Sequence, residues 1–424
     1  MMGMSSAEIA GEISSMLFGS NAAPECEIKY SSTNSPDSYK TTIIKDLTAP
    51  TFELGYDESA VKNQWIQSSV SEDDVVILVQ KLEDEGSGVN RIVFTLGDKT
   101  ITKTGTAPAL TLKELTEDLG FTDGKSTIMA EAYDNLDNKS AVMKIDVNYD
   151  SIPPEISIAA ENNNIWTDNS ANAWIRTTDV KKTLINVTAS DEESGILKLE
   201  FSIKDKSYVV EVNEETLLSD YPVSLEILQK KLNLQEGKNI VTARAFDKAG
   251  NLSPVSRITL FYDITPPSFN EEIVDSKVWT DRSGRKWIKS GTKDSDNIIN
   301  IKDLVDPITS DKQVSGIEKV IYELNGNTIE NMGSSADKSV KLGELKKQLS
   351  LTEGENIITI CAYDNVGNKE EKTLYIYYDK TAPSVSSKLN IPKMYKDSEG
   401  EYWIKASMKK TDVLLTVNCI DEQA

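Results

Sequence analysis

No histidine occurs anywhere in the 424 residues, and this absence excludes more chemistry than any other feature of the composition. It removes the commonest general base and the commonest transition-metal ligand, so zinc, haem and Ser-His-Asp chemistry become improbable together. Cysteine is nearly absent: Cys26, Cys361 and Cys419 lie far apart with no CxxC spacing, which gives neither a zinc site nor a disulfide framework. Each is expected to be a free, buried thiol. No apolar run approaches the roughly 18 residues of a helical membrane span. The first residues, MMGMSSAEIAGEISSMLFGS, carry neither a basic n-region nor a clean apolar core, so no export or anchoring signal is expected. Positive charge is also scarce. The chain has 46 Lys and Arg against 68 Asp and Glu, a net charge of −22, whereas nucleic-acid binding needs clustered cations. The acidic, oxygen-rich character that remains suits a hard cation, above all Ca2+.

What is present is a repeat. Asp-x-x-[Pro/Ala]-Pro recurs at 46–50, 150–154, 263–267 and 379–383, a period of about 110 residues that suits a whole sandwich domain and is too long for a solenoid unit. The same words follow in the same order within each period. First comes an aromatic hairpin: IWTDNSANAWI with Trp166 and Trp174, VWTDRSGRKWI with Trp279 and Trp287, MYKDSEGEYWI with Tyr395 and Trp403, and a looser GYDESAVKNQWI with Tyr56 and Trp65. Next is a strand ending in an acidic turn (VVILVQKLEDEGSGV, LINVTASDEESGI and, less neatly, TSDKQVSGI), then a strand of period-2 alternation. A leucine stripe follows at Leu112, Leu115, Leu119 and Phe121, at Leu225, Leu228, Leu232 and Leu234, and at Leu342, Leu345, Leu349 and Leu351, one apolar face of a short helix. An Asp-x-x-Gly-Asn turn and an alternating strand lead into the next Asp-x-x-Pro-Pro.

The expected division is a partial unit at 1–46, complete units at 47–150, 151–263 and 264–379, and a partial unit at 380–424. The expected fold is all-β: tandem immunoglobulin-like β-sandwiches, each with one short helix, in an elongated array on the order of 130 Å long at about 3.3 Å per strand residue. Head-to-tail complementation between the two partial units is conceivable, but a monomer is the expectation.

DKAGN followed by YDITPP, with DEESG upstream, resembles the bacterial Ig-like repeats of large secreted adhesins and cell-wall proteins. The resemblance covers about three full units and implies an extracellular, cell-surface setting and a role as stalk or adhesive array. It also implies Ca2+ at the junctions of some such arrays, and a host or cell-surface glycan or protein as partner. The chain departs from that pattern in three places: DNLDN replaces Asp-x-x-Gly-Asn in the first unit, DKQVSG carries an extra residue in the third, and a minimal sandwich lacks the helix.

Geometry gives the acidic residues an independent meaning. In an Ig-like sandwich the chain enters at one pole, and two loops return to that pole. Asp46 should therefore approach Asp84 and Asp134, Asp150 should approach Asp191 and Asp247, and Asp263 should approach Asp311 and Asp364. Two readings stand open for these nine: Ca2+ ligands, or the ordinary chemistry of type I turns and linker caps. The tryptophan pairs likewise read as cross-strand packing or as a platform for a sugar. No catalytic residue is expected, because every acidic cluster recurs in each unit whereas an active site is normally singular. The functional expectation is a non-enzymatic stalk or spacer, with glycan- or protein-binding modules and an accessory region of a secreted hydrolase as alternatives.

Overall fold

The computed structural model describes residues 25–30, 39–176, 178–212, 220–308, 313–389, 394–409, 411 and 415–421. Three β-sandwiches follow one another along the chain, each a three-stranded sheet facing a six-stranded one. In the second unit the small sheet is Glu155–Ala160, Thr183–Ser190 and Tyr221–Ser224. The large sheet runs Ile165–Thr167, Ala173–Ile175, Ser256–Tyr262, Gly237–Asp247, Ile196–Ile203 and Lys206–Glu211. The first and third units repeat this order with central strands Gly124–Asp134 and Gly354–Asp364. Pairing is antiparallel except where the aromatic hairpin meets the last strand of its unit, as at Trp174 opposite Phe261.

Strand periodicity sets both the core and the site. In Gly237–Asp247 the residues Val241, Ala243 and Ala245 point inward, and the same parity carries the terminal Asp247 inward as well. The same alternation runs Ile128, Ala130, Ala132, Asp134 and Ile358, Ile360, Ala362, Asp364. A buried carboxylate at the pole of each sandwich thus follows from the register of its central strand.

The leucine stripe closes the other side of each core. Leu115, Leu228 and Leu345 are fully buried, each in the core of its own unit. The helices are short, Leu225–Lys230 and Leu342–Lys347, and the first unit has a π-helical turn, Glu114–Asp118. The stripe outlasts them because the chain reverses through a left-handed residue at Gly120, Asn233 or Ser350. The next N–H returns to the helix, from Phe121 to Leu115 O, from Leu234 to Leu228 O and from Leu351 to Leu345 O, which satisfies a carbonyl of the helix end.

Three strand pairs lie outside these sandwiches among the described residues. Glu25–Tyr30 lies against Tyr39–Ile44, Ser384–Leu389 against Leu415–Ile420, and Met394–Lys396 against Tyr402–Ile404. The expectation of buried thiols needs correction here. Cys419 is exposed because, among the described residues, its strand has one neighbour and no facing sheet, and Cys361 is only half-buried on the outer face of Gly354–Asp364. The side chain of Cys26 lies outside the described residues.

Candidate metal centres at the unit junctions

Each sandwich receives its linker at the pole where the central strand ends. There the linker carboxylate meets two loop carboxylates, giving three groups with oxygens within 4.8 Å of one another: Asp46, Asp84 and Asp134; Asp150, Asp191 and Asp247; Asp263, Asp306 and Asp364. We call these the first, second and third joints. Eight of the nine expected residues come together in this way. The ninth, Asp311, lies outside the described residues, and Asp306 stands at the third joint with Asp263 and Asp364. Counting back from the Ser-Gly of the following turn points to Asp311. Counting forward along the strand finds Asp306, which stands as far beyond Ile298 as Asp84 stands beyond Val76. The strand Asn297–Val305 absorbs its extra residue at a left-handed Asp303, as Val75–Glu83 does at Lys81.

A conserved hydrogen-bond plan builds all three joints. The linker Asp accepts the N–H two residues on, from Thr48, Ile152 or Thr265, which bends the chain into an Asx turn. Its second oxygen accepts the N–H of Ser87, Ser194 or Ser315 at 2.5, 3.2 and 2.7 Å. The second loop carboxylate caps the adjoining Gly, with Gly88 N to Asp84, Gly195 N to Asp191 and Gly316 N to Asp306. The Asn that ends the central turn binds both sides of the joint. Asn138, Asn251 and Asn368 each donate to the linker carbonyl, of Asp46, Asp150 and Asp263, and to their own turn Asp. At Gly86 an added Cβ would fall 2.0 Å from an Asp46 oxygen, so a side chain there would have to displace that carboxylate.

Turn chemistry therefore operates at every joint, and it leaves acceptor capacity unused. An ionised carboxylate has about four lone-pair sites. Asp84 Oδ1 and Asp306 Oδ1 are buried with no hydrogen-bond partner, and Asp306 is only 5 % exposed. With no histidine in the chain and no cysteine in any of the groups, the donor set is all oxygen, which fits a hard cation.

Electrostatics differ between joints. At the first, hydrogen bonds from Thr48 and Ser87 hold Asp46 well below the usual carboxylate range. Burial pushes Asp134 up, but bonds from Asn138 and Leu136 outweigh it and the net shift is downward. At the second joint burial raises Asp247, opposed by Asn251 and reinforced by the charges of Asp150 and Asp191. At the third, burial and the charge of Asp263 push Asp306 up to about 7, and burial also raises Asp364.

The hairpins of the second and third units lie on the outer edge of the large sheet, and the hairpin Met394–Lys396 with Tyr402–Ile404 pairs by itself; in each the two aromatics are register partners, Trp166 with Trp174, Trp279 with Trp287 and Tyr395 with Trp403. A further anchor was not evident from the sequence pattern. The Asp of each Trp/Tyr-x-Asp turn accepts the indole N–H of the second tryptophan, Trp174 to Asp168 at 3.0 Å, Trp287 to Asp281 at 3.2 Å and Trp403 to Asp397 at 2.6 Å. The constant spacing of this Asp before the Trp was the available signal.

The chain matches no known family model and no curated protein sequence. Among solved structures it is similar to a Ca2+-stabilized adhesin with which an Antarctic bacterium binds ice, at 13 % identity and a TM-score of 0.34 over 84 % of this chain and 81 % of that one. It is also similar to a tetra-tandem repeat from the extending region of a large adhesion protein, at 15 % identity and a TM-score of 0.24 over 84 % and 81 %. Fibronectin(III)-like modules of CbhA from Clostridium thermocellum align at 16 % identity and a TM-score of 0.28 over 50 % of this chain and 94 % of that one.

Proposed function

We propose that this chain is a non-enzymatic array of Ig-like units, a stalk or spacer of a bacterial surface protein, whose joints stiffen on Ca2+. The observation that carries this reading is the recurrence of one carboxylate triad at each of three joints, each made of one linker Asp and two loop Asp. Two carboxylate charges 4.8 Å apart, the upper limit within each triad, repel by roughly 3–4 kcal/mol at an effective dielectric near 20, and each triad contains three pairs. The hydrogen bonds from Ser, Gly and Asn offset part of that cost, and a divalent cation would remove the rest. Asp263, Asp306 and Asp364 would hold it at the third joint, Asp150, Asp191 and Asp247 at the second, and Asp46, Asp84 and Asp134 at the first. Bound there, a cation would tie the linker to both loops, so that the angle between units would no longer be free. An extracellular setting, where Ca2+ is abundant, belongs to the same reading.

Isothermal titration of the full chain with Ca2+ tests it. Three bound ions per chain are expected, with one lost in Asp263→Asn and little heat from Mg2+, which tolerates flexible oxygen cages poorly. Absence of binding in the wild-type chain would leave the triads as turn chemistry alone.

A second reading rests on the exposure of Trp279, 54 %, which leaves an indole face open to a glycan. Binding on a glycan array that is lost in Trp279→Ser would support it.

A further inference from the structure

The hairpin tryptophans of the second and third units have the same sequence context and different surroundings. In the second unit Trp174 packs on Phe261, ring centroids 5.1 Å apart, and in the third Trp287 packs on Tyr377 at the same 5.1 Å. Over the second unit's face, however, lies Val366 of the third unit, 7 % exposed, in a cluster with Trp174 and Phe261 and with Trp166 packed against it. Val366 is the third residue of the turn Asp364 to Asn368, and its N–H is held by Asp364 Oδ1 at 3.0 Å. The turn that supplies one carboxylate of the third joint therefore also supplies an apolar contact to the preceding unit.

The second joint repeats this on a smaller scale. Ala249, third in Asp247 to Asn251, is fully buried, and its carbonyl accepts the N–H of Ser68 at 2.7 Å from the loop just beyond the first unit's hairpin. Gln67 Nε2 reaches Lys248 O at 3.3 Å beside it. The loop after the first unit's hairpin thus receives the turn that carries Ala249, and the double-tryptophan hairpin of the second unit receives Val366. Leu136, at the same turn position in the first unit, is 56 % exposed.

From this we infer that the hairpin edge of each unit is a socket for the Asp-x-x-Gly-Asn turn of the unit that follows, with the third turn residue as its plug. The contact, apolar at the third joint and hydrogen-bonded at the second, needs no cation, so these two joints have a metal-independent half beside their carboxylates. The face formed by Trp279, Trp287 and Tyr377 is the same socket without such a turn among the described residues. It borders an open cleft of about 420 Å³ with the linker Asp379 to Pro383. Its occupant is the corresponding turn of a further Ig-like unit carrying an apolar third residue.

The test uses the full chain in EGTA, so that its outcome is independent of whether Ca2+ binds. Val366→Asp places a charge in the socket while leaving the third unit's own core, to which Val366 does not contribute, unchanged. The expected result is a red shift of tryptophan emission, stronger acrylamide quenching and a broader interparticle-free scattering distance distribution, with no loss of circular dichroism. Trp166→Ser, altered from the socket side, should broaden the distribution likewise, whereas Trp279→Ser should leave it unchanged. Unchanged quenching and scattering in both Val366→Asp and Trp166→Ser would overturn the inference. So would a glycan that binds the wild type and is lost in Trp279→Ser but kept in Trp166→Ser.

Discussion

The first and third joints are assembled from the same kinds of residue and end in opposite electrostatic states. Asp263, Asp306 and Asp364 are all buried, whereas only Asp134 is buried at the first joint. Asp46 and Asp134 lie below the ordinary carboxylate range, while Asp306 and Asp364 lie above it. The plug position differs in parallel, with Leu136 exposed and Val366 seated on the second unit's hairpin. Both triads keep one carboxylate oxygen without a hydrogen-bond partner, on Asp84 at the first joint and on Asp306 at the third. Only the third triad is buried throughout, so the joint packed most closely is the one with most to gain from a cation.

The largest expected effect breaks the turn itself. Asp364→Ala removes the acceptor of the N–H groups of Val366, Gly367 and Asn368, of which Val366 is buried, and should cost about 3 kcal/mol in chemical denaturation. Asp134→Ala frees the fewer N–H groups of Leu136 and Asn138 and should cost less. Equal losses would deny the two joints their difference.

The next contrast is one of sign. In chelator, Asp306→Asn removes a charge that burial disfavours and should stabilise the third unit by about 1 kcal/mol once solvent screening is allowed for, while abolishing one Ca2+ site. Asp84→Asn should abolish a site without that gain.

Acid titration of the chelated chain should separate the joints in a similar manner. The folded Asp306 titrates at about 7, above its unfolded value near 4. Between those values the native state binds more protons than the unfolded state, so stability should rise as pH falls from 7 to 4 and then level off. Asp46 has the opposite shift: its contribution is fully present above pH 4 and is lost as pH falls further toward its depressed folded value. Melting temperatures between pH 3 and 7.5, followed unit by unit through hydrogen exchange, would show both trends.

The smallest effect concerns the plugs. Val366→Ala should cost about 1 kcal/mol of contact with the second unit. Leu136→Ala should fall within about 0.5 kcal/mol of zero.

Much of this architecture can be read from residues alone, for physical reasons that also explain the failures. The leucine stripe was legible because its apolar spacing has one use, filling a core, and every stripe residue through Leu349 is buried. The turn carboxylates were legible because period-2 alternation carries them inward with the core residues before them. Asp306 was not, because a lengthened loop moved the acidic residue away from the Ser-Gly by which it was located. Exposure of Cys419 was equally hidden, since local pattern says that a strand alternates and not whether a second sheet covers it. The plug and socket could not be found within any one unit, because its two halves belong to different repeats.

The most direct test of the central claim is small-angle scattering of the full chain at pH 7.5 in Ca2+ and after EGTA. If the triads are cation-closed joints, Ca2+ gives a narrow distance distribution with a defined maximum dimension, and EGTA broadens it reversibly. Superimposable curves in the two conditions would contradict the account.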